Sequence, residues 1–465
     1  MKKRKESERF KIAKIAVTAA VVLVMAVVAF ILPLRPTQSE TEKRRLAEFP
    51  QFQVGALLDG SYFSGIATWF SDTVPFRDTL VSVNARLQHL IGTGTVLAGF
   101  NEGVKGDDIP DFVPAAPQET AAVTEDAAAE TAPTTTEPPM TEPPTTEPPT
   151  TEPQTTEPEE TEPFVPEKMQ KLNSIVIYGN AGYEYYNFVQ TTADNYAAAI
   201  NRTAERLAGT ATVYSMIIPT STDIILDSRV RENISVSDQR TAIAYMESLL
   251  STQVRRVSIF DTMLAHKNEY IYFRTDHHWT GLGAYYAYRD FCAVKGVAPV
   301  RLEDCVKRSF EGFLGSFYND SGMNPALGSE PDTVETFVPA VNTSFSGVDN
   351  AGNAFSGNVI YNADTSRPAY QYSAFIWGDN PFSVIENLDK ASGEACLLVK
   401  DSFGNAFAPL LCAHYKYVYI MDYRYYDSTI KDAVSRYGIT DVIFANNISM
   451  TRDKNQVQIL ADHIG

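Results

Sequence analysis

Two short segments of this sequence carry the residue types of an acyl-transfer triad. Asp276 and His278 are separated by one residue, and Ser402 follows far downstream. In an Asp-x-His pair the carboxylate fixes the tautomer of the imidazole, so that the other ring nitrogen can take a proton from a serine hydroxyl. We therefore predict that Ser402 is a nucleophile, that His278 is its base and that Asp276 orients the base.

Ser402 stands where a strand is expected to turn into a helix. Residues 396–399 form a continuous apolar run, which is typical of a strand buried on both faces. The N–H groups that open the following helix, together with Gly404 and the side-chain amide of Asn405, can face a developing oxyanion. The alternative is a serine that only caps a helix in an ordinary loop.

Four further residues are candidates for substrate contacts. Arg424 and Tyr423 follow a predicted strand, where a guanidinium can bind a carboxylate or polarise a carbonyl and a phenol can stack on a sugar ring. His277 and Trp279 flank His278 and are expected to face either packing partners or substrate. A purely structural role is the alternative for each of them.

Asp276, His277 and His278 also offer metal-ligand types in succession. Adjacent histidines rarely converge on one ion, and neither His266 nor His414 is at a spacing typical of a distant ligand. We therefore predict no metal and no other cofactor.

The formal net charge of -18 comes largely from one segment. Residues 117–163 contain twelve acidic residues and neither lysine nor arginine, and residues 134–163 repeat threonine, glutamate and proline. Such a composition lacks the apolar side chains needed for a core, so residues 117–166 are predicted to be a disordered, extended linker that acts as a spacer. No basic groove with interleaved aromatic residues is present, so nucleic acid is not an expected partner.

The amino terminus has the features of a membrane anchor. Residues 15–34 are twenty consecutive uncharged and mainly apolar residues, which suits the thickness of a bilayer. Seven lysines and arginines precede them. The positive-inside rule therefore predicts that residues 1–35 are a cytoplasmic tail and a single transmembrane helix in the cell membrane, with the C-terminal domain outside. A cleaved signal peptide is the alternative.

Two folded regions are expected to flank the linker. Residues 36–116 are predicted to be a juxtamembrane helical region, because apolar residues recur at helical spacing in residues 63–70 and 79–91. Residues 167–465 alternate short apolar runs with helical stretches, which predicts an α/β domain with a three-layer parallel sheet flanked by helices. The predicted strands are residues 174–178, 212–218, 257–260, 270–273, 395–400, 417–421 and 441–445. The predicted helices are residues 192–207, 239–250, 281–294, 406–412 and 429–437.

The four cysteines, Cys292, Cys305, Cys396 and Cys412, match no metal-binding spacing. They lie in the part of the chain predicted to be outside the cell, where disulfides are permitted. A Cys292–Cys305 disulfide and four free, buried thiols are the two alternatives.

The first segment resembles a known family signature. Residues 272–280, Tyr-Phe-Arg-Thr-Asp-His-His-Trp-Thr, with Gly283 and Ala284 after them, are similar to the signature of the bacterial DHHW protein family. The segment also resembles the Asp-Thr-His-Trp element of the alginate O-acetylation proteins, whose fold is a permuted variant of the SGNH hydrolases. The resemblance extends to residues 44–50, 75–78, 217–219 and 401–403. It covers most of the chain outside the predicted membrane helix and linker.

The resemblance implies transfer or removal of an acetyl group on a cell-surface polysaccharide, by an O-acetyltransferase or an esterase. In the acetylation proteins the Asp-x-His pair precedes the serine, as Asp276 and His278 precede Ser402 here. A membrane acyltransferase is an implied partner. The chain departs from the pattern at two positions, since Lys400 replaces a glycine and His277 replaces a small hydroxyl residue. Lys400 favours the alternative function, a catalytically silent glycan-binding or envelope-assembly protein.

Overall fold

The computed structural model describes residues 105–116, 118, 169–172, 175–363 and 368–465, together with scattered positions between 38 and 73. The predicted membrane helix at residues 15–34, the predicted helix at residues 79–91 and nearly all of the predicted linker lie outside the described residues. Ile66, Trp69 and Phe70, which fall in the other predicted N-terminal helix, are helical. None of the helices in the described part of the chain has the length and apolar character that crossing a bilayer requires.

A mixed eight-stranded sheet forms the centre of the fold, with the strand order β11-β10-β12-β14-β13-β15-β6-β7. The described strands are β1 (Gln38–Ser39), β2 (Arg44–Arg45), β3 (Met169–Lys171), β4 (Ile175–Tyr178), β5 (Ala181–Glu184), β6 (Thr212–Ile218), β7 (Val254–Arg256), β8 (Cys305–Phe313), β9 (Asp332–Pro339), β10 (Thr343–Val348), β11 (Ala354–Gly357), β12 (Phe382–Asn387), β13 (Ala395–Lys400), β14 (Tyr417–Asp422) and β15 (Asp441–Asn447). The strands from β14 to β7 are parallel, as predicted. Strands β10, β11 and β12 extend the sheet in antiparallel fashion, so the prediction of a wholly parallel sheet is wrong.

Three predicted strands differ from the structure. The one at residues 174–178 belongs to a separate antiparallel sheet of β3, β4 and β5. The edge strand predicted at residues 257–260 lies earlier, as β7, and Phe260 already begins a helix. Residues 270–273 form a single bridge between Tyr272 and Trp279 in place of a strand. The apolar side chains in these last two segments fill the core, but their backbone follows loops.

The described α-helices are α1 (Gln190–Arg206), α2 (Ser221–Ile224), α3 (Ser228–Arg231), α4 (Gln239–Leu249), α5 (Phe260–Ala265), α6 (Gly281–Lys295), α7 (Ser316–Asp320), α8 (Pro325–Gly328), α9 (Gly404–Phe407), α10 (Ile430–Tyr437) and α11 (Lys454–Asp462). The described residues also include four 3-10 helices, at Leu302–Asp304, Pro368–Ala374, Ala408–Ala413 and Ile448–Arg452. The predicted helix at residues 406–412 is therefore α9 continued by a 3-10 turn. Helix α6 begins at Gly281, as predicted, and the hydroxyl of its N-cap Thr280 accepts from the Gly283 N–H. Its C-cap is Gly296, which has a φ of 83°.

Two hydrophobic clusters lie on opposite faces of the central sheet. In β13, Cys396 and Leu398 point into the cluster that contains α6, whereas Leu397 and Val399 point into the cluster that contains α1, α4, α10 and α11. Burial on both faces explains the continuous apolar run of this strand. The three layers of the prediction, helices on each side of a sheet, are present. All four cysteines are free, so the disulfide alternative is wrong.

Residues 105–116, which precede the predicted linker, and Gln118, which falls inside its predicted bounds, pack against the domain that follows the linker. The ring of Phe112 contacts the hydrophobic cluster beside α1 and α4. The side-chain amide of Gln118 donates to the Val254 carbonyl at 2.9 Å and accepts from the Arg256 N–H at 2.8 Å. Gln118 thus satisfies backbone groups on the open edge of β7, which is the last strand of the sheet.

Candidate active site

The turn that carries Ser402 lies at the carboxyl ends of the parallel strands. Asp401, directly after β13, accepts from the Phe403 N–H at 3.0 Å and from the Asn447 N–H at the end of β15 at 2.7 Å. Burial raises the pKa of the Asp401 carboxyl to about 6, although Arg424 and these hydrogen bonds oppose the rise. Asp401 therefore ties the turn to the neighbouring strand and fixes the direction in which Ser402 projects.

Asp276, His278 and Ser402 form one continuous hydrogen-bonded chain. The His278 Nδ1–H donates to Asp276 Oδ1 at 2.5 Å, and the Ser402 hydroxyl donates to His278 Nε2 at 2.7 Å. The side chains of His278 and Asp276 are only 7% and 6% exposed, so bulk water does not compete for these bonds. The structure brings the three predicted residues together in the order that proton transfer from the serine requires.

The Asp276 carboxyl is held in its ionised form. Burial by itself would raise the pKa of Asp276, but the His278 and His277 imidazoles and the hydrogen bonds from His278 and the Ser316 N–H lower it below its usual value. A carboxylate at this position stabilises the imidazolium that forms when His278 takes a proton.

A buried aspartate that the sequence analysis did not identify holds the loop before Asp276. Asp332, the first residue of β9, is fully buried. One of its oxygens accepts from the Thr275 N–H at 2.7 Å and from the Thr275 hydroxyl at 2.6 Å, and the other accepts from the Tyr270 hydroxyl at 2.5 Å and from Arg274 Nε at 3.1 Å. Asp332 thereby sets the conformation of the residues that position Asp276.

Two aromatic residues fix His278 and the serine turn. The Tyr372 ring stacks on the His278 imidazole with 3.9 Å between centroids, and its hydroxyl donates to the Ser402 carbonyl at 3.0 Å. Trp279 is buried and its Nε1–H donates to the Phe403 carbonyl at 2.9 Å. Trp279 therefore joins the two predicted segments through the core, which corrects its assignment as a substrate contact. Tyr372 was not predicted.

The predicted oxyanion donors are mostly engaged elsewhere. The Gly404 N–H donates to the Asp401 carbonyl at 3.0 Å, and the Asn405 side-chain amide donates to Asp379 Oδ1 at 2.8 Å. Within the described part of the chain, the Ser402 backbone N–H has no hydrogen-bond acceptor. Among these groups the Ser402 N–H is the one that remains free. It could donate to the carbonyl oxygen of an acyl group attacked by Ser402 Oγ.

Lys400, which departs from the expected glycine, lies in a buried charge network. Its Nζ donates to Asp422 Oδ2 at 2.8 Å and to Asp379 Oδ1 at 3.1 Å. Arg424 contacts the same two carboxylates, at 2.7 Å and 3.0 Å. Two cations and two anions therefore balance each other next to the serine turn, and the ammonium of Lys400 does not enter the triad.

Arg424 and Tyr423 do not present their polar groups to a substrate as the sequence analysis predicted. The Arg424 guanidinium is engaged by Asp422 and Asp379. Tyr423 is buried, and its hydroxyl donates to Gln456 at 3.2 Å. Both residues support the carboxyl ends of the strands.

His277 occupies the exposed side of the cluster. Its side chain is 35% exposed, its Nδ1 lies 2.6 Å from the Ser316 hydroxyl, and its ring centroid lies 3.9 Å from that of His278. The Ser316 N–H also donates to Asp276 Oδ2 at 2.8 Å. One residue of α7 therefore contacts both the triad carboxylate and the second histidine.

The same cluster contains the ligand types of a metal site. Ligand atoms of Asp276, His277 and His278 lie within 4.8 Å of one another, which is close enough for one ion. Both ring nitrogens of His278 are already used, however, by Asp276 and Ser402. Because an ion would have to break one of these bonds, the donor set suits a proton relay better than a metal centre.

The chain is similar to a protein family and to several solved structures. Residues 42–124 and 152–421 match the family model described as DHHW protein. The crystal structure of a DHHW family protein from Eubacterium siraeum has a TM-score of 0.58 and 28% identity, and the match covers 63% of this chain and 97% of that chain. Bacillus cereus PatB1, in a structure with a sulfonyl adduct, has a TM-score of 0.50 and 19% identity over 60% of this chain and 95% of its own. The O-acetyltransferase domain of Pseudomonas putida AlgJ has a TM-score of 0.31 and 11% identity over 59% of this chain and 91% of its own. No curated protein sequence matches.

These comparisons establish the fold and the family. The likeness to PatB1 shows a shared α/β fold with a large sheet. The family model spans well over half of the sequence and includes both Asp276-His277-His278-Trp279 and Ser402. The chain belongs to the DHHW protein family.

Proposed function

We propose that this protein transfers or removes an O-acetyl group on a polysaccharide outside the cytoplasm, with Ser402 as the nucleophile. The observation that carries the proposal is the unbroken chain from Asp276 through His278 to Ser402, with bonds of 2.5 Å and 2.7 Å. Polysaccharide as the substrate class rests on the resemblance of the DHHW segment to the alginate O-acetylation proteins.

The first half of the reaction acylates the enzyme. His278 Nε2 takes the hydroxyl proton of Ser402 while Oγ attacks the acetyl carbonyl of the donor, and Asp276 stabilises the imidazolium that forms. The oxyanion develops beside the free Ser402 N–H. The tetrahedral intermediate collapses when the bond to the leaving oxygen breaks and His278 returns the proton to that oxygen. Ser402 then carries the acetyl group.

The second half transfers the acetyl group to a hydroxyl. His278 takes the proton of the incoming hydroxyl as its oxygen bonds to the acetyl carbon, and the bond to Ser402 Oγ breaks as Oγ regains the proton. A sugar hydroxyl as acceptor gives an O-acetyltransferase, and water gives an esterase. The same residues perform both reactions, so the choice depends on which hydroxyl occupies the site.

The position of Lys400 no longer favours a catalytically silent protein. Lys400 was the reason to expect a distorted serine turn, but its ammonium bonds to Asp379 and Asp422 and the triad distances are intact. A silent glycan-binding protein would have no need of a buried histidine aligned between a carboxylate and a serine.

The location of the reaction is also a proposal. The lysine and arginine asymmetry around residues 15–34 supports a transmembrane anchor with the triad outside the cell. An acetyl donor outside the cell has to be supplied across the membrane, which supports a membrane acyltransferase as partner.

Turnover of an acetyl ester tests the triad as a unit. With 4-nitrophenyl acetate, Ser402→Ala and His278→Ala are each expected to lower turnover by roughly a thousandfold, and the double variant is expected to lose little more, because residues that act together are not additive. Ser344→Ala removes an exposed hydroxyl on β10, far from the triad in the sheet order, and serves as the matched control with unchanged turnover.

A Ser402→Ala variant with wild-type turnover would refute the assigned nucleophile. If the wild-type protein shows no turnover and no acetylation, the silent binding function becomes the better explanation.

A further inference from the structure

The two adjacent histidines have opposite environments. His278 is buried and both of its ring nitrogens are engaged, one by Asp276 and the other by Ser402. The His277 side chain is 35% exposed, and its Nδ1 is bonded to the Ser316 hydroxyl. Within the described part of the chain, His277 Nε2 has no hydrogen-bond partner. One imidazole nitrogen next to the triad is therefore available to a ligand.

The His277 ring lies beside His278, the proposed base. The His277 ring centroid is 3.9 Å from that of His278 and 5.8 Å from that of Phe403, the residue after the nucleophile. A hydroxyl that approaches an acetyl group on Ser402 must also reach His278, because His278 takes its proton. The approaching hydroxyl therefore comes within range of His277.

The charge of His277 suits a neutral hydroxyl. Its partial burial and then the neighbouring His278 imidazole lower the pKa of His277 below the usual value. At neutral pH the ring is therefore uncharged, and its free Nε2 is a donor or an acceptor according to the tautomer, either of which can bond to an alcohol or to water. An uncharged ring also does not oppose the positive charge that His278 acquires during the reaction.

Ser316 holds His277 independently of the triad. Its hydroxyl contacts His277 Nδ1, whereas its backbone N–H donates to Asp276 Oδ2. Replacing Ser316 with alanine removes the first contact and keeps the second. Replacing Gly315 with alanine instead disturbs the triad carboxylate, because a Cβ at that position would lie 2.2 Å from Asp276 Cβ and 2.3 Å from Asp276 Oδ2.

We propose that His277 is the residue that orients the attacking hydroxyl, sugar or water, for removal of the acetyl group from Ser402, and that Ser316 is the positioning residue for His277. This inference rests on the proposed function of Ser402. His277 Nε2 hydrogen-bonds the acceptor hydroxyl and exchanges no proton with it. His278 takes the acceptor proton and passes it to Ser402 Oγ as the acyl bond breaks.

Separate measurement of the two half-reactions tests the proposal on the full chain. Rapid mixing with excess 4-nitrophenyl acetate gives the acylation rate from nitrophenol release. Rapid removal of the ester, followed by acid quenching and intact mass determination, gives the rate at which the acetyl group is lost. Nitrophenolate leaves before an acceptor hydroxyl is needed. The acylation rate therefore does not depend on a hydrogen bond between His277 and the acceptor hydroxyl.

The expected result is a split between the two rates. His277→Ala and Ser316→Ala are predicted to slow loss of the acetyl group about tenfold, the effect of one hydrogen bond, while acylation changes less than about threefold. His277→Gln restores part of the loss through its amide. Gly315→Ala, the control that disturbs Asp276, slows both steps.

Two outcomes would overturn the inference, and they distinguish a wrong role for His277 from a wrong proposed function. If wild-type protein becomes acetylated on Ser402 but His277→Ala loses the acetyl group at the wild-type rate, His277 does not orient the acceptor although the proposed function stands. If the wild-type protein does not acetylate at all, the proposed function fails and the inference fails with it.

Discussion

The ammonium of Lys400 is fully buried beside the proposed nucleophile and is stable there because two carboxylates share its charge. Asp379 and Asp422 bind both Lys400 and Arg424, so the group contains two cations and two anions. Removal of one member would leave an unpaired buried charge, which typically costs about 3–5 kcal/mol. Gly404 lies close above the lysine stem, since a Cβ there would approach Lys400 Cβ at 2.5 Å. The turn can therefore carry a lysine where a glycine was expected.

The grouping of Asp276, His278 and Ser402 could be predicted from the sequence, whereas the residues that support them could not. Asp276, His278 and Ser402 follow from residue type, spacing and order, because acyl transfer needs an acid, a base and a nucleophile. Tyr372 reaches His278, and Asp332 reaches Thr275 beside Asp276, only through tertiary packing, and no local pattern around either residue points to the site. Their roles could be recognised only after the chain was folded.

At the scale of elements, the parallel strands were predictable because burial on both faces leaves continuous apolar runs. The antiparallel extension was missed for the opposite reason. Strand β10 has one buried hydrophobic residue, Phe345, between the exposed Ser344 and Ser346, so its apolar signal is too weak to identify a strand. The mixed character of the sheet therefore depends on pairing with β12, which the sequence does not show.

Helix α6 is joined to the 3-10 turn after α9 by a half-buried histidine, and this contact predicts a pH-dependent stability. His414 Nε2 and the Tyr288 hydroxyl are 2.6 Å apart. Burial, followed by the charges of Lys295 and Lys390, lowers the pKa of His414 to about 4. Below its unfolded pKa of about 6.5 the unfolded chain binds more protons than the folded chain, so this stability is present above pH 6.5 and is lost as pH falls toward 4.

The His414→Gln variant isolates this effect. The free energy of unfolding of the wild type, relative to the variant, is predicted to fall by about 2 kcal/mol between pH 7.5 and pH 5. Urea unfolding at the two pH values measures it. A difference between the proteins that stays constant with pH would show that His414 does not titrate in this range.

At the scale of the whole molecule, the described residues on the two sides of the Thr/Glu/Pro tract belong to one packed unit. Gln118 on its amino-terminal side bonds to the edge of β7, and β3 on its carboxyl side pairs with β4. Composition predicts that the tract itself contributes no core, but it does not reveal that residues 105–118 pack against the domain beyond it. That contact depends on an open sheet edge formed by distant residues.

Deletion of residues 134–163 is therefore predicted to leave the thermal unfolding midpoint within about 2 °C of the wild type. Phe112→Ala, by contrast, removes a ring that packs on the core and should lower the midpoint by several degrees. Scanning calorimetry compares the three proteins. A large fall on deletion would mean that the tract packs, and no change in Phe112→Ala would mean that residues 105–118 are not part of the folded unit.

The most direct test of the central claim is the position of the acetyl group during turnover. The full chain is mixed with an activated acetyl ester, quenched in acid within the first turnover, digested and mapped by mass spectrometry. We predict one added acetyl group on the peptide that contains Ser402, absent in Ser402→Ala and greatly reduced in His278→Ala. Turnover without acetylation of Ser402, or an acetyl group on another residue that persists in Ser402→Ala, would contradict a mechanism through Asp276, His278 and Ser402.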